Sequence, residues 1–279
     1  MEHSLTQHSL TQHSLTQATA TRVAAVPSAP ARVIGGEDAD YVVRFDVHQR
    51  VQHILMFTSF LVLAFTGLPQ KFFTLEISRW IIASLGGLEM TQAIHHAAGY
   101  VMLFDCVYHG LYLFYSLVIR RRTRMLQMIP TPRDFLDIIQ HFLYFLGFTT
   151  QRPRFRRFSY LEKFDYFAVS WGIVVIGGSG VVLMFPVTVS RLIGGAIVPV
   201  AHAAHSDEAV LAVAWIFLVH LFYAHLAPNV FPMNTSIFTG RVSRERYQEE
   251  HPLAPEFAPA AEGEANPLRL IPWLGGRWG

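Results

Sequence analysis

The sequence predicts an all-α membrane protein, a four-transmembrane-helix bundle with an amphipathic interfacial helix in the second-to-third loop. Three observations predict it. The 279 residues are 52% hydrophobic and only 15% charged, with 22 Phe, 10 Tyr and 5 Trp, a balance that suits a bilayer better than water. Four apolar stretches approach the ~20 residues that a helix needs to cross ~30 Å of hydrocarbon. Lysine and arginine gather beside those stretches mainly on one side, as topology signals do. One membrane domain, residues 41–232, is expected between a disordered N-terminal tail (1–40) and a cytoplasmic C-terminal tail (233–279).

In chain order, the N-terminus repeats HSLTQ three times and runs through an Ala, Pro and Val segment to about Pro30. It holds no apolar run long enough for a signal peptide or a span, and its composition is that of a disordered segment. His3, His8 and His13 recur every five residues, which shares no helical face and suits adventitious metal at most. The first span covers about Gln52–Leu68, closed by Gly67 and Pro69, and the second about Gln92–Ile119. The third covers about Phe164–Phe185 and the fourth about Asp207–Leu226. The weaker stretch Ile193–Ala201 carries glycines and a proline, is too short to span, and reads as part of the third-to-fourth loop. In the loop Arg120–Lys163, Thr131 supplies an N-cap, Pro132 the first helical position and Asp134 a first-turn acid. The segment to Phe148 sets Phe135, Ile138, Ile139, Phe142, Leu143, Phe145 and Leu146 mostly on one side, the pattern of a helix lying on the membrane interface or packed on the bundle.

Orientation follows from the cations. The Gln70–Thr91 connection carries Lys71 and Arg79, and the Pro186–His205 connection only Arg191. The opposite side carries Arg44 and Arg50, the arginines of the middle loop with Lys163, and Arg241, Arg244 and Arg246. By the positive-inside rule both termini and the middle loop are cytoplasmic.

The histidines then sort by depth. His205 and His220 bracket the fourth span; fifteen steps at ~1.5 Å separate them by ~22 Å, and at ~100° per residue both fall within ~60° of one another around the helix. An outer layer holds His95 or His96 with His205, and an inner layer holds His53, His109, His220 and, about a turn closer to the cytoplasm, His225. Alone, a histidine in an apolar helix is more often a hydrogen-bonded core residue than a ligand. Five or more in two layers on three helices are what two bis-histidine b-type haems stacked across a membrane require. Gly67, Gly99, Gly172, Gly177, Gly178 and Gly180 suit close passage of a flat ring past backbone, and equally suit plain helix contacts. The single cysteine, Cys106, leaves no disulfide framework, CxxCH attachment site or iron–sulfur ligand set. No phosphate loop or nucleophile–base arrangement stands out, so substrate chemistry belongs to another subunit. The basic residues flank spans, which argues against nucleic acid as a partner. Two other classes fit parts of the pattern. A haem-free or single-haem membrane anchor would need no ligands. A histidine-based proton or solute transporter would need mid-span acids and internal symmetry, and only Asp105 and Asp165 answer to the first.

The segments RFDVHQRVQHILMFTSFLVLAFTGLP, IHHAAGYVMLFDCVYH, YLEKFDYFAVSWGIVVIGGSG, HSDEAVLAVAWIFLVHLFYAH and FPMNTSIFTGRVSRERYQEEHP, in that order over Arg44–Pro252, resemble the membrane dihaem cytochrome b family of formate dehydrogenase gamma subunits and nickel–iron hydrogenase cytochrome b subunits. The nearest likeness is to the branch paired with multihaem c-type cytochromes or iron–sulfur subunits. The resemblance implies two haems b, the inner held by His53 and His220 and the outer by His95 and His205. His109 offers a rival inner partner for His220. It also implies electron transfer between a redox partner subunit and a quinone, menaquinone or ubiquinone, within a hetero-oligomeric respiratory complex of a prokaryotic cytoplasmic membrane. On that reading His109, His225 and Asn229 are quinone-site candidates, and Arg44, Arg50 and Lys163 are candidates for pairing with haem propionates.

Overall fold

A computed structural model describes residues 40–228 and 230–257, with the side chains of Thr123 and Arg124 left aside. The HSLTQ repeats with their histidines, Asn229 and the chain beyond Phe257 lie outside the described residues. The fold is the expected all-α bundle: Val47–Lys71, Leu88–Ile119, Tyr160–Met184 and Ile197–Leu226 are each long and apolar enough to cross a membrane, which makes this a multi-pass membrane protein.

Strand β1 (Tyr41–Val43) leads into α1 (Val47–Lys71), the first span. Asp46 starts it, accepting from the Gln49 amide while the Gln49 side chain accepts from the Asp46 amide, so two orphan donors are satisfied at once. The helix does not close at Gly67 and Pro69. Pro69 sits inside it; the proline removes one backbone donor, and the Gln70 side chain donates to the neighbouring Thr66 carbonyl at 2.9 Å. A short helix, α2 (Glu76–Ser84), links it to α3 (Leu88–Phe114), which ends in a π-helical turn over Tyr115–Ile119 as the second span. The middle loop forms α4 (Pro132–Phe145) behind the expected Thr131 capping box with Asp134. The third span is α5 (Tyr160–Gly172), a π-helical turn at Ile173–Gly177, and α6 (Gly178–Met184). After α7 (Pro186–Ile193), α8 (Ile197–Trp215) and two π-helical turns, Ile216–His220 and Phe222–Leu226, make the fourth.

That fourth span begins at Ile197 and not near Asp207, so the end of the stretch read as loop is its first turns. Pro199 is compatible with this because first-turn amides have no intrahelical acceptor to lose.

Packing is inverted relative to a water-soluble bundle. The buried residues of α1 are Gln52, Ser59, Thr66 and Pro69, those of α3 are Thr91, Ala98 and Asp105, and these two helices pack closely along their length. Gln52, Ser59 and Thr66 recur every seventh residue, as do Thr91, Ala98 and Asp105, so each set lies on one seam, where the small side chains of Ser59, Thr66, Thr91 and Ala98 let backbones approach. The large apolar side chains face outward; Phe104, Leu111, Val174 and Leu218 are 62–75% exposed, as lipid contact requires.

The arginine-rich end is more ordered than a tail reading implies. Helix α9 (Ser236–Thr239), strand β2 (Arg241–Ser243) and α10 (Arg244–Glu250) follow the last span. β2 pairs antiparallel with β1, Val42 opposite Val242. Gly240 makes the turn with φ +77°, where a Cβ would stand 2.6 Å from the Phe45 carbonyl oxygen. Arg44 donates to the Arg157 carbonyl at 2.6 Å and to Glu162 at 2.5 Å, Arg157 pairs with Glu256, and Leu253 donates its amide to Phe155. Residues 233–257, expected within a separate C-terminal tail, thus close the same end of the bundle as the chain entering the first span and the middle loop.

Candidate functional site

A cavity of about 2770 Å³ is lined by all four spans, from Lys71 and Gln92 towards one end to Arg44 and Arg157 at the other. That exceeds the ~300–1,000 Å³ of an ordinary ligand pocket, and leaves room for more than one large planar group. Two pairs of imidazoles face each other across it. His53 of α1 and His220 of the fourth span have ring centroids 6.3 Å apart; His95 of α3 and His205 of the fourth span have centroids 6.1 Å apart. Each member lies within about two or three helical turns of its span's end, so the pairs occupy two depths. The π-helical turn ending at His220 takes up one extra residue and keeps His205 and His220 on the cavity side.

Nitrogen assignments follow from the hydrogen bonds. Thr66 Oγ1 donates to the Val62 carbonyl at 2.7 Å and therefore accepts from His95 Nδ1 at 2.8 Å. His205 Nδ1 donates to the Ile176 carbonyl at 2.8 Å, inside the π-helical turn of the third span, with the Ser179 hydroxyl 3.4 Å away. His220 Nδ1 donates to Asp165 Oδ2, and Asp165 Oδ1 accepts from Trp215 Nε1 at 2.8 Å. In these three rings the proton is fixed on Nδ1, and Nε2 keeps its lone pair for a ligand. An iron between two imidazoles, at about 2 Å per bond with each ring centre about 1.1 Å further on, separates the centroids by about 6 Å. Both pairs fit that span. Among the described residues no cluster of three or more His, Cys, Asp or Glu has metal-binding geometry, and each facing pair brings two imidazoles together.

Glycines complete the outer pair. A Cβ on Gly67 would stand 3.0 Å from His95 Cε1, and one on Gly180 3.1 Å from His205 Cε1. Gly99, Gly172 and Gly177 line the cavity, whereas Gly178 does not. His96 also borders the cavity but is an exposed residue, and the ring that faces His205 is that of His95, so the choice between neighbours falls on His95.

The other inner-layer candidates have separate partners. His109 does not face His220: its Nδ1 meets Gln52 Oε1 at 3.0 Å and its Nε2 meets the Tyr166 hydroxyl at 2.9 Å. His225 lines the cavity, and its Nδ1 is buried without a hydrogen-bond partner. Of the three cations proposed for propionates, Arg44 lines the cavity and Arg50 and Lys163 do not. Arg50 donates to the Phe238 carbonyl at 2.7 Å, and Lys163 is paired with Asp134 at 2.9 Å. Burial alone would raise Asp134; its hydrogen bonds from Lys163 and from the amide and hydroxyl of Thr131 hold it below the usual carboxylate range. Arg122, Arg152, Arg154 and Arg157 line the arginine-rich end of the cavity with Arg44. Sequence reasoning passed over them because it counted them as topology signals. It also passed over Thr66 and the Ile176 carbonyl, whose partners are set by contacts between helices. No family model matches the chain, and no curated protein matches it.

Proposed function

We propose that this chain is the dihaem b-type cytochrome subunit of a respiratory membrane oxidoreductase, passing electrons across a prokaryotic cytoplasmic membrane between a redox partner subunit and the quinone pool. The observation that carries the reading is the pair of facing imidazoles at each of two depths, 6.1 and 6.3 Å between ring centroids. His95 and His205 would hold the outer haem, and His53 and His220 the inner. When bound, the two groups would supply reversible one-electron chemistry at two depths roughly 20 Å apart by helix rise. Thr66, Ile176 and Asp165 hold Nδ1 protons and so present Nε2 of their histidines to the cavity. The apolar spans keep water from its walls, and Arg44 with the arginines of the middle loop offers donors to anionic substituents at the inner end.

A quinone would exchange its protons at the inner end. His109, tied to Gln52 and Tyr166, offers a ring nitrogen that passes a proton on, and the partnerless Nδ1 of His225 offers a second acceptor or donor. Asn229 completes the candidate set from the sequence. The gathering of the arginine-rich segments at one end supports a topology with both termini cytoplasmic. A pyridine haemochrome spectrum with protein quantitation on the purified chain in detergent tests the proposal. Two haems b per chain are expected; none would overturn it in favour of a membrane anchor, and one or three would overturn the two-layer assignment.

A further inference from the structure

The two imidazole pairs differ in one respect. Every Nδ1 hydrogen bond described for the outer pair ends on a neutral acceptor, the Thr66 hydroxyl for His95 and the Ile176 carbonyl for His205. In the inner pair, His220 donates to a carboxylate, Asp165 Oδ2. Asp165 is itself held in place. It lies on α5 two turns above the Ser159 cap, and its second oxygen accepts from the Trp215 indole at 2.8 Å. Its side chain is 23% exposed and that of His220 27%, so the pair meets inside the bundle wall, where electrostatic effects are less screened than in water.

We infer that Asp165 is a positioning residue that sets the two haem sites to different redox potentials, making the inner site, held by His53 and His220, the harder to reduce. The inference rests on the dihaem reading proposed above. A carboxylate accepting the Nδ1 proton raises the basicity of the opposite nitrogen and places negative charge beside the ligand. Both effects favour the oxidised, more positive iron over the reduced one. The reaction concerned is the gain of one electron by the iron; no bond forms or breaks, and the Nδ1 proton remains on His220. The Thr66 and Ile176 acceptors orient the outer rings equally well and add no charge, so no such bias acts on the outer site. The protein thereby biases an electron towards the outer site at equilibrium, and Trp215, by withdrawing charge from Asp165, limits the size of that bias.

Potentiometric titration of the haem absorbance in the purified full-length chain reads this directly, with Asp165→Asn and Trp215→Phe beside the wild type. Asp165→Asn keeps an acceptor oxygen for His220 and removes the charge. It is expected to ease reduction of one site by tenfold or more, at least 59 mV for a one-electron couple, while the other stays where it was. Trp215→Phe is expected to move the same site the opposite way. Two haems with both potentials unmoved in both variants would overturn the inference and leave the dihaem reading standing. A wild type without haem would fail at the earlier step. Should Asp165→Asn lose a haem, Trp215→Phe decides: a downward shift supports the assignment, and an unchanged or raised potential overturns it.

Discussion

Gly67→Ala separates what the outer pair needs from what the fold needs. Thr66 Oγ1 holds His95 Nδ1 at 2.8 Å, and the neighbouring Gly67 leaves the space that the ring edge occupies. An alanine Cβ would stand 3.0 Å from His95 Cε1, where ordinary contact begins at 3.4 Å, so the ring must withdraw by about 0.4 Å. Two energies of similar size oppose each other. Alanine in a helix interior gains about 1 kcal/mol over glycine, and a one-methyl overpacking costs about 1–3 kcal/mol. Net stability therefore changes by no more than ~2 kcal/mol, but the displacement consumes most of the ~0.5 Å tolerance of a ligating geometry. Haem content and the reduced-minus-oxidised spectrum of the purified variant report the difference. The expectation is loss or spectral change of one haem, the outer, with the melting temperature within a few degrees of wild type and the inner component intact. Gly178→Ala is the control, since a Cβ there meets nothing within 4 Å. A Gly67→Ala spectrum identical to wild type, or an equal change in Gly178→Ala, would refute the reasoning.

Other perturbations read other parts of the structure. His53→Ala should lose one haem and His109→Ala should keep both, because His53 faces His220 while His109 is engaged by Gln52 and Tyr166; the reverse result would reassign the inner pair. Lys163→Ala leaves Asp134 without its cation in a pair whose side chains are each 11% exposed. The Thr131 bonds remain, so the cost is placed at about 2–3 kcal/mol, below the full value for a broken buried pair. Hydrogen exchange in α4 should speed up about 30- to 150-fold at that cost, and an unchanged rate would mean that the helix is held by its membrane face alone. His251 donates its Nδ1 proton to the Arg156 carbonyl at 2.7 Å. Burial pushes it below the ordinary imidazole value of about 6.5, against the upward pull of Glu162. Its folded form therefore binds protons less readily than its unfolded form; the clasp is at full strength above pH ~6.5 and weakens as pH falls from there towards the folded value. Exchange of the 241–253 amides, corrected for intrinsic rate, should be faster at pH 5.5 than at 7.5 in wild type and equal in His251→Phe, and a wild type indifferent to pH would contradict this.

The spans were legible because burial in lipid demands some twenty apolar residues in a row, and such runs survive errors of a few positions. Their ends were not. Pro69 and Pro199 read as breaks, yet both lie inside helices: Pro199 is in a first turn, where an amide has no intrahelical acceptor to lose, and Pro69 is two residues from a C-terminal end, where little helix follows the lost bond. Depth was legible for the histidines, since rise per residue places His53, His109 and His220 at one level from numbering alone. Direction was not. His95 and His109, fourteen residues apart, lie within about 40° of the same face by helical geometry, and only the neighbouring Gln52 and Tyr166 show that His109 is taken. Asp165 was noticed as an acid in an apolar stretch. Its role could not be read there, because Trp215 and His220 reach it from another helix at fifty and fifty-five residues' separation.

The bundle is built from two close helix pairs. The first and second spans meet along the seam of Gln52, Ser59, Thr66, Thr91, Ala98 and Asp105, and the third and fourth meet where α6 and the Ile173–Gly177 turn lie against α8. Both facing histidine pairs take one imidazole from the first half, His53 or His95, and one from the fourth span, so each reaches across from one half to the other. The direct crossings between the halves are few; Lys71 of the first span is one, meeting Ser206 at 2.9 Å and Asp207 at 2.6 Å at one end. The cavity between the halves is therefore a consequence of where the small residues are. They close the seams inside each half, and the space between is left to be spanned by imidazoles at two depths. A group ligated by both rings of a pair would tie the halves together at that depth, which makes assembly of the bundle and loading of the site parts of one equilibrium.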